Sequence, residues 1–566
     1  MKINHILALF KGCFFYLCLS MFFSTNTLPA SNDKEAFYDE FLCEEKDVLF
    51  KAGLASSPCK DHKPRCGFPY PSNTGYTTPS PIIHSPQVWS FVSEPHLHPM
   101  KITVNKFESE TFSGFIFLAP YAFSSDQSYG QPGALIVDNE GTPFWFRPLN
   151  SPNLMNTDFR VQTYKGSPVL TFWQGTLATP PAYTNTPGGS SEPGSCYHIF
   201  DQTYRLIKTV SAKKGFISDI HEFLLTPHNT ALLLSTKAVP MDLTPYGGPK
   251  DGYVQDFAIQ EIDLDTNDLI FFWDALEHIP LSDSYVSATT LTDNIWDAYH
   301  LNSIGLTNDV NDIVVSSRSM WTIYRINKPT GNILWSLGGK QSNFTIESGA
   351  EFSWQHDARF LADNLVSMFD DNSNSSTLST PPSHGLILKL DFNAMTASVH
   401  RSYYHDPNIT VASQGNTQSL KNGNKFIGWG QSQYYSEFAE EGNTEDTPSL
   451  NLLYEAEFPT NNYSYRAYKH EWTGTPYYPP SIAVKGKCQQ ITVYASWNGS
   501  TETMEWQVFA GSKPTKLSLI ETASKSGFET SIPVTNKGPY FQIKAVDVRG
   551  RILGESKILK SKSCLH

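Results

Sequence analysis

Five residues in the middle of the chain have the types that bind or transfer a small oxyanion: His221, His300, Asn302, Arg318 and His356. An arginine guanidinium presents paired donors to two oxygens, and an imidazolium adds charge-assisted hydrogen bonds. A neutral imidazole can instead act as a nucleophile toward sulfur or phosphorus, while the other donors stabilise charge on the transferring group. These residues therefore predict a cup for a tetrahedral oxyanion.

The stretch DAYHLNSIGLTNDVNDIVVSSRSM, residues 297–320, indicates how three of these residues can meet. Its apolar residues predict two strands around a polar turn. His300 and Asn302 open the first strand, and Arg318 follows the second. Because the start of one hairpin strand lies beside the end of the other, we expect a histidine, an amide and a guanidinium at one end of this hairpin.

A larger pattern must position this hairpin, because apolar residues, a carboxylate or amide, a polar turn and a second strand recur along the chain. The anchors of the six units are Asp138, Asp201, Asp263, Asn327, Asp391 and Glu457, spaced by 63, 62, 64, 64 and 66 residues. A second strand–turn–strand hairpin follows within the units. Such a period in all-β units of four strands predicts a six-bladed β-propeller.

The second hairpins open at or near Gln162, His221, His300, His356 and Gln418. In a propeller the innermost strands of all blades line one central channel. If these hairpins are the inner ones, their opening residues meet at one mouth of that channel. The three histidines are then neighbours in space, although 79 and 56 residues separate them along the chain.

Length and composition extend this prediction to the whole chain of 566 residues, which is too long for one core. Aromatic residues are frequent at 13%, and charged residues are few at 17%, which favours a β-rich extracellular protein. We expect an all-β protein with a Cys- and Pro/Ser-rich lead at 31–94, the propeller at 95–478, and a small C-terminal β-sandwich of immunoglobulin or fibronectin type at 479–566.

The N-terminus, MKINHILALFKGCFFYLCLSMFFSTNTLPA, has a lysine, an apolar run and small residues near Ala30. This pattern predicts a signal peptide at 1–30 and a secreted, extracellular protein; a retained signal anchor is the alternative. No later stretch is long and apolar enough to span a membrane. The net charge of −13 argues against nucleic acid as a partner, although a local cationic pocket can still bind a small anion.

Six cysteines follow the predicted signal peptide, and an even number in a secreted chain predicts disulfide bonds. We expect one pair within Cys43, Cys59 and Cys66, and a second between Cys488 and Cys564. Five sequons are candidate N-glycan sites on exposed loops: Asn343, Asn374, Asn408, Asn462 and Asn498.

Several motifs carry a family resemblance: DAYHLNSI with SSRSMWTIYRI, ILWSLGGKQSNF, and WQHDARFLADNLVSMFDDN, supported by SDIHEF, QGNTQSLKNGNKFIGWG and YASWNGSTETMEWQVF. In this order and spacing they resemble the secreted eukaryotic, chiefly fungal, branch of the PAPS-independent arylsulfotransferase family, over roughly residues 110–560. The resemblance implies transfer of a sulfuryl group from an aryl sulfate to a phenol, through a sulfohistidine and without a cofactor.

The resemblance also implies a role for each candidate residue. His356 matches the histidine that becomes sulfated. His300, Asn302 and Arg318 match the group that binds the sulfuryl oxygens, and His221 matches the remaining active-site histidine. Asp357 follows His356 directly, but alternation along a strand directs it to the opposite face, so we do not expect it to orient His356.

Three alternatives stay open at this point. Histidines from separate blades can bind iron or zinc, although Arg318 argues against a metal because a guanidinium cannot ligate and repels a cation. A hydrolase acting on aryl sulfate or phosphate esters needs the same cup, with water replacing the phenol. A non-catalytic extracellular propeller that binds a ligand needs none of this chemistry.

Overall fold

The computed structural model describes residues 85–122, 129–149, 154–176, 194–291, 294–309, 311–375, 377, 379–487, 490–535 and 538–561. The predicted signal peptide, most of the N-terminal lead and the cysteines proposed for disulfides lie outside these residues. The described part is all-β, as predicted, and is built of antiparallel sheets.

In the described part of the chain, twenty-seven strands precede residue 471 and eight follow it. In chain order the first twenty-seven are β1 (Thr103–Phe107), β2 (Phe115–Tyr121), β3 (Gly133–Val137), β4 (Pro143–Pro148), β5 (Met155–Tyr164), β6 (Ser167–Gly175), β7 (Cys196–Phe200), β8 (Leu206–Val210), β9 (Ile217–Leu225), β10 (Thr230–Met241), β11 (Gly252–Asp263), β12 (Leu269–Asp274), β13 (Ile295–Trp296), β14 (Leu301–Leu306), β15 (Asp312–Ser317), β16 (Thr322–Asn327), β17 (Ile333–Gly338), β18 (Thr345–Ile346), β19 (His356–Phe360), β20 (Leu365–Asp370), β21 (His384–Asp391), β22 (Thr396–Tyr404), β23 (Asn416–Ser419), β24 (Lys425–Gly428), β25 (Tyr434–Phe438), β26 (Leu452–Glu457) and β27 (Tyr463–His470).

Eight strands follow: β28 (Ser481–Lys487), β29 (Gln490–Ser496), β30 (Glu505–Lys513), β31 (Lys516–Ser524), β32 (Glu529–Val534), β33 (Tyr540–Val546), β34 (Ile552–Glu555) and β35 (Leu559–Lys560). Helix is confined, in the described ranges, to one four-residue α-helix and three 3₁₀ turns: α1 (Ala275–His278), Thr244–Tyr246, Leu281–Asp283 and Ala362–Asn364. None of these helices is long and apolar enough to cross a membrane.

Six sheets contain β1 to β27. Their strand orders are β27-β2-β3-β4, β5-β6-β7-β8, β9-β10-β11-β12 with β13 beside β11, β14-β15-β16-β17, β19-β20-β21-β22-β18, and β23-β24-β25-β26-β1. The predicted second hairpins are the first two strands of five of these sheets, so this part of the sequence prediction is confirmed.

The repeat anchors have a common structural role, which explains their spacing. Asp138, Asp201, Asp263 and Asp391 each come at the end of the third strand of a sheet and accept backbone N–H groups from the following turn. Asn327 accepts the N–H of Thr330 in the same way. Short side-chain acceptors stabilise such turns, so the third and fourth strands form a tight hairpin in each of these sheets.

The sixth unit differs from the predicted pattern. Glu457 ends β26, but β27 does not pair with β26; it pairs with β2 of the first sheet, with Phe117 opposite Tyr468. The outer partner of β26 is instead β1, from the start of the described chain. The first and the last of these sheets therefore each contain strands from both ends of the repeat region, and hydrogen bonds within each sheet join the two ends.

One strand from each sheet contacts its counterparts in the two neighbouring sheets: β5 with β9, β9 with β14, β14 with β19, β19 with β23, β23 with β27, and β27 with β5. This cycle closes. Hydrophobic cores fill the space between neighbouring sheets, as where Leu232 and Phe257 pack with Ile304 and Val315. Burying each such side chain contributes about 1.5–3 kcal/mol, so the cores hold the inner strands in fixed relative positions.

The last eight strands form two further antiparallel sheets, β28-β29-β32 and β31-β30-β33-β34 with β35 beside β33. They share one core, in which Val493 and Ile532 of the first sheet pack with Trp506, Val508 and Ile543 of the second. Alternate residues of β29, β30 and β33 are buried, which is the pattern of strands with one face on a core.

The five sequons differ in their surroundings. Asn374 and Asn343 are exposed, whereas Asn462 is fully buried and bonds the carbonyls of the preceding turn. Asn498 accepts the N–H of Phe146 and donates to its carbonyl, both at 2.9 Å. A glycan needs an accessible amide nitrogen, so burial argues against modification of Asn462.

Candidate active site

The hairpin of β14 and β15 brings His300 and Arg318 together at one end, as the sequence predicted. Leu301 lies opposite Ser317, and the N–H of Arg318 donates to the carbonyl of His300 at 3.0 Å. His300 itself is in the left-handed region, with φ of 47°, and precedes a register shift in β14. A bulge of this kind re-aims the side chains at the end of a strand.

His221, on β9 of the preceding sheet, approaches the same place. Its ring centroid lies 4.9 Å from that of His300, with 73° between the ring planes. The charges of His221, His300 and Arg318 all act on His356, the first residue of β19. The structure therefore brings together three histidines and one arginine from three consecutive sheets.

Each of the three imidazoles is held by an aspartate through Nδ1. His221 pairs with Asp219, two residues earlier. His300 pairs with Asp297 at 2.5 Å, and His356 pairs with Asp371 at 2.7 Å. A carboxylate on Nδ1 fixes the tautomer and the ring orientation, and it leaves Nε2 on the other side of the ring for chemistry.

His356 is the most deeply placed of the three, with a side chain 1% exposed. Its Nε2 accepts the backbone N–H of Gln414 at 3.2 Å, which requires a lone pair on Nε2 and the proton on the Nδ1 side. Burial, followed by the charge of Arg318, lowers the pKa of His356 well below 6.5. His356 is therefore a neutral imidazole with its Nε2 lone pair directed away from Asp371.

His300 is more accessible, with a quarter of its side chain exposed. Burial lowers its pKa, and the paired carboxylate of Asp297 only partly offsets that effect. In the described part of the chain, Nε2 of His300 and Nε2 of His221 have no hydrogen-bond partner. Both nitrogens are consequently free to accept a proton or to bond a ligand.

Arg318 supplies the positive charge of the site. It donates to the carbonyl of Ala412 at 3.0 Å, and its guanidinium lies 4.7 Å from the ring centre of Trp354. Burial lowers its pKa, whereas the nearby charges of Asp371 and Asp297 raise it. Nε of Arg318 is buried and has no partner among the described residues. A buried donor without a partner is costly, so this guanidinium is prepared for an anion.

An aromatic stack begins at Arg318 and leads outward. Trp354 contacts Trp321 edge-on, with ring centroids 5.5 Å apart, and Trp321 stacks on Tyr285 at 3.6 Å. Trp354 and Trp321 are half-buried and Tyr285 is 38% exposed, so the stack reaches the surface. We refer to Tyr285, Trp321 and Trp354 as the aromatic stack.

Several residues of this site have left-handed backbone. His300, Trp321, Trp354 and Gln414 have φ of 47°, 51°, 59° and 76°, respectively. For residues other than glycine this conformation costs about 1–3 kcal/mol and persists where the surroundings impose it, often at functional sites. The surrounding structure therefore holds these four residues in a backbone conformation that they would not adopt at an unconstrained strand end.

Asn302 is less directly part of the cup than the sequence suggested. It is fully buried, and its amide donates to the carbonyl of Gln355 at 2.7 Å. Gln355 directly precedes His356, so Asn302 joins β14 to the start of β19. Asp357 points away from the cup, as predicted, and bonds Arg359 on its own strand.

A second charged cluster lies on the other side of the same inner strands. We call it the ion-pair network; it consists of Asp158 and Arg160 on β5, Glu222 on β9, Asp357 and Arg359 on β19, and Arg466 on β27. Arg466 donates to Asp158 at 2.7 Å, to Glu222 at 3.2 Å and to the carbonyl of Asn302 at 2.9 Å. Three guanidiniums balance three carboxylates, so this cluster is neutral overall.

The two glutamines that the repeat placed beside the histidines lie elsewhere. Gln162 bonds Phe223 and Leu225 of the neighbouring strand β9, and Gln418 bonds both backbone groups of Lys469 on β27. Both line a cavity of about 580 Å³ that none of the three candidate histidines lines. The glutamines and the histidines lie on equivalent hairpins but at different positions along the first strand. A difference of a few residues places a side chain at the other end of that strand.

Sequence reasoning missed the three aspartates that orient the imidazoles. Two of them were within quoted motifs, as Asp219 in SDIHEF and Asp297 in DAYHLNSI. Their spacings of two and three residues from a histidine were a usable signal. Asp371 lies 15 residues after His356, at the end of β20, and only the pairing of β19 with β20 brings the two together.

The donor set does not resemble a metal centre. Within the described ranges, no group of three or more His, Cys, Asp and Glu side chains is arranged to hold a metal ion. In the cup each carboxylate is used by one imidazole, and a guanidinium lies among them.

A family model described as Arylsulfotransferase (ASST) matches residues 160–446, which is half of the chain. The chain belongs to the arylsulfotransferase family. The matched region contains the three histidines, their aspartates, Asn302 and Arg318. The family therefore supports a sulfotransferase-like enzyme that acts on small aryl substrates.

Solved structures similar to this arylsulfotransferase-family chain are distant. A protein of unknown function from Bacteroides caccae is 11% identical, with 61% of this chain and 94% of that chain covered and a TM-score of 0.34. A protein from Lactobacillus plantarum is 12% identical, with 75% of this chain and 99% of that chain covered and a TM-score of 0.25. TM-scores this low carry no argument about fold or function. No curated protein sequence matches the chain.

Proposed function

We propose that this protein is a secreted aryl-sulfate sulfotransferase that passes a sulfuryl group to a phenol through a sulfohistidine at His356, without a nucleotide cofactor. The observation that carries this proposal is the state of His356. Its proton is held on the Asp371 side, its Nε2 lone pair is retained, and Arg318 lies close enough to lower its pKa. A neutral imidazole beside a cation suits attack on an anionic sulfate ester.

In the first half-reaction Nε2 of His356 attacks sulfur, an N–S bond forms, and the S–O bond to the aryl group breaks. The electron pair of that bond leaves with the aryl oxide. The ring becomes positively charged. Burial raises the pKa of Asp371, but the charge on the ring and that of Arg318 favour its carboxylate, which stabilises the ring through Nδ1. Arg318 donates to the sulfuryl oxygens, and the N–H of Gln414, which now bonds Nε2, lies beside any group attached there.

In the second half-reaction a phenol attacks the same sulfur, the N–S bond breaks, and its electron pair returns to Nε2 of His356. The phenol must lose its proton. His300 can accept it, because its Nε2 is free and Asp297 on Nδ1 stabilises the resulting imidazolium. His221 is paired with Asp219, and its ring centroid lies 4.9 Å from that of His300. It adds a third imidazole to the cup. We assign Asn302 to positioning, because it joins β14 to the residue before His356.

The aromatic stack accounts for the aryl part of the substrate. An aryl sulfate carries a flat apolar ring one oxygen atom away from the sulfuryl group. Trp354 lies against Arg318, so a sulfuryl group bound by Arg318 places its ring near Trp354 and Trp321. Ring-to-ring contacts of this kind contribute about 0.5–1.5 kcal/mol beyond the area buried.

Within this proposal the six sheets of β1 to β27 are the blades of a β-propeller, and the last two sheets are a β-sandwich of immunoglobulin or fibronectin type. The closed cycle of inner-strand contacts supports the first assignment, and the shared core supports the second. We propose domain limits of 95–478 and 479–566, and the change of sheets near residue 481 supports the boundary between them. Secretion rests on the pattern of the first 30 residues.

The test is to incubate the purified full-length protein with 4-nitrophenyl sulfate and follow nitrophenol release, with and without a second phenol. We expect release that accelerates with the acceptor, and parallel double-reciprocal plots for the two substrates. Mass spectrometry of a donor-treated sample should show a sulfuryl adduct on the peptide that contains His356. His356→Ala should lose both signals, whereas His228→Ala, which replaces an exposed histidine on the β9–β10 turn, should keep both.

The same experiment separates the alternatives. Release that is independent of the acceptor, with free sulfate as the product, identifies a hydrolase. Absence of both release and adduct with aryl sulfates of several substituents contradicts the proposal and leaves a binding protein. An adduct on a histidine other than His356 contradicts the assignment of the nucleophile while keeping the reaction.

A further inference from the structure

The cavity of about 580 Å³ has no role in the proposed reaction. Turns of the inner hairpins surround it, including Lys165 and Gly166 after β5, Pro227 and Asn229 after β9, and Leu361 after β19. The ion-pair network lies at its base, since Arg160, Asp357 and Arg359 belong to both. Its volume falls in the range of small-molecule sites, about 300–1,000 Å³.

Three buried polar atoms of the lining have no hydrogen-bond partner in the described structure: Oγ of Ser367, Nε of Arg160 and Nε2 of His470. Ser367 is 1% exposed and Arg160 is 7% exposed. A buried polar group without a partner costs about 1–3 kcal/mol, and native proteins leave few of them. These three atoms lie beneath the surface of the lining, so the polar groups that a ligand can reach are the other hydroxyls of the cavity wall.

The charges of the lining exclude an ionic ligand as the best fit. Arg160 and Arg359 are neutralised by the carboxylates of the ion-pair network, and Lys165 at the rim pairs with Asp265 at 2.6 Å. Burial, assisted by the charge of Arg160, lowers the pKa of His470 to about 3, so this ring is neutral. No full charge in the lining is left without a counter-charge among the described residues.

The rest of the lining combines hydroxyl and amide groups with aliphatic surface. Thr163, Thr226 and Ser419 provide hydroxyls, while Leu225 and Leu306 provide apolar contact. A sugar ring has the matching chemistry, because its edge carries hydroxyls that donate and accept and its faces carry C–H groups. A flat aryl ring lacks the hydroxyls, and a carboxylate or phosphate lacks a free cation to bind.

We propose that this cavity is a second binding site, separate from the histidine cup, and that its ligand is a short neutral saccharide of one or two rings. The saccharide hydroxyls bond the hydroxyls of Thr163 and Ser419, and its C–H faces lie on Leu225 and Leu306. Access is from the side where the inner hairpins turn. The site belongs to the fold rather than to the sulfuryl reaction, so it stands whether or not the chain transfers sulfuryl groups.

The experiment is isothermal titration calorimetry of the full-length protein with cellobiose, maltose and N,N′-diacetylchitobiose, alongside glucuronate and glucosamine as charged probes. We expect saturable binding of at least one neutral disaccharide and weaker binding of the charged sugars. Thr163→Val removes one hydroxyl of the lining and should weaken binding about fivefold, the effect of one hydrogen bond of about 1 kcal/mol. Ser419→Trp, at an exposed position of the rim, should abolish binding by filling the entrance.

The matched control is Ser518→Trp, which places the same side chain at an exposed position of β31, far along the chain from every lining residue. It should leave binding unchanged. Absence of saturable binding for all neutral probes overturns the proposal, as does binding that survives Ser419→Trp. Preference for a charged sugar overturns the assignment of a neutral ligand. Nitrophenol release from Ser419→Trp is expected to equal that of the wild type, which keeps this test independent of the proposed reaction.

Discussion

The histidine cup consists of His221, His300, His356 and Arg318 with the three paired aspartates. It shares the inner strands β9 and β19 with the ion-pair network, yet the charges of the two clusters are arranged differently. In the network each guanidinium contacts at least two carboxylates, and Arg466 also bonds the carbonyl of Asn302. In the cup each aspartate serves one imidazole through Nδ1, and Arg318 has a buried nitrogen without a partner in the described structure. Every charge of the network has an oppositely charged partner, whereas Arg318 has no ion-pair partner among the described residues.

Neighbouring residues divide between the two clusters. His221 belongs to the cup and Glu222 to the network; His356 belongs to the cup and Asp357 to the network. Adjacent side chains of a strand point to opposite faces, which separates them. A buried charge that is paired with opposite charges supports the fold, whereas an oriented imidazole with an unprotonated nitrogen is suited to chemistry. The two clusters should therefore respond differently to substitution.

The largest expected effect is on stability, from Arg466→Met. This change removes the guanidinium between Asp158 and Glu222 and leaves both carboxylates buried with fewer partners. Breaking a buried ion pair costs about 3–5 kcal/mol, which denaturant unfolding of the full chain measures. The same replacement of Arg318, which makes one described hydrogen bond, should lower the free energy of unfolding by no more than about 1 kcal/mol. If Arg466→Met and Arg318→Met lower the free energy of unfolding equally, the network does not stabilise the fold more than the cup does.

The next effect is on turnover, from Arg318→Lys. Lysine keeps the charge but loses the paired donors of the guanidinium, which matches the geometry of a sulfuryl group. We expect kcat/KM for 4-nitrophenyl sulfate to fall by about 10²-fold, as when an oxyanion donor is removed. Arg359→Lys in the network is the matched control, since both residues are arginines near the inner strands. If Arg359→Lys lowers turnover while the protein stays folded, the ion-pair network also contributes to the reaction.

A smaller effect is expected from Asp371→Asn. The amide keeps the shape of the carboxyl but no longer stabilises positive charge on His356. Substitution of such an orienting group typically costs about 10–100-fold, and here kcat should fall more than KM changes. The sulfuryl adduct on His356 should still form, only more slowly. An unchanged kcat shows that Asp371 has a structural role alone.

The smallest effect is the position of the acid limb in the pH–rate profile. Protonation of His356 removes its lone pair, and its pKa is lowered from 6.5 by burial and by Arg318. Turnover should therefore persist as the pH falls through 6.5 and decline only in more acidic solution. Profiles of kcat/KM across pH 4 to 8 measure this. A decline centred at or above pH 6.5 contradicts a buried nucleophile.

The network supplies the stability control for that profile. Burial raises the pKa of Glu222, but Arg359, Arg160 and Arg466 outweigh it and hold the pKa at about 2. Because this pKa is below the usual 4.5, the stability from Glu222 is complete above pH 4.5 and is lost as the pH falls toward 2. A change in turnover above pH 4.5 therefore does not report titration of this residue.

Much of the architecture was predictable because it is written in local patterns. The anchors from Asp138 to Asp391 mark turns, and a turn needs its acceptor at one position relative to the strands. The pairing of His300 with Arg318 followed from the geometry of one hairpin. The end of the repeat was less predictable: β27 looks like an outer strand of its own unit, but it pairs with β2. Nothing near Glu457 in the sequence distinguishes the two partners.

The sequence by itself determined the strands, their turns, the inner hairpins and the residue types available at each strand end, because these depend on neighbours within a few tens of residues. The tertiary structure alone decided which groups meet across sheets: Asp371 with His356 through the pairing of two strands, Arg466 with Glu222 across 244 residues, and the unpaired atoms around the second cavity. The physical reason is that inner strands must close a cycle with well-packed cores between sheets, and the register of that closure sets which side chains face one another.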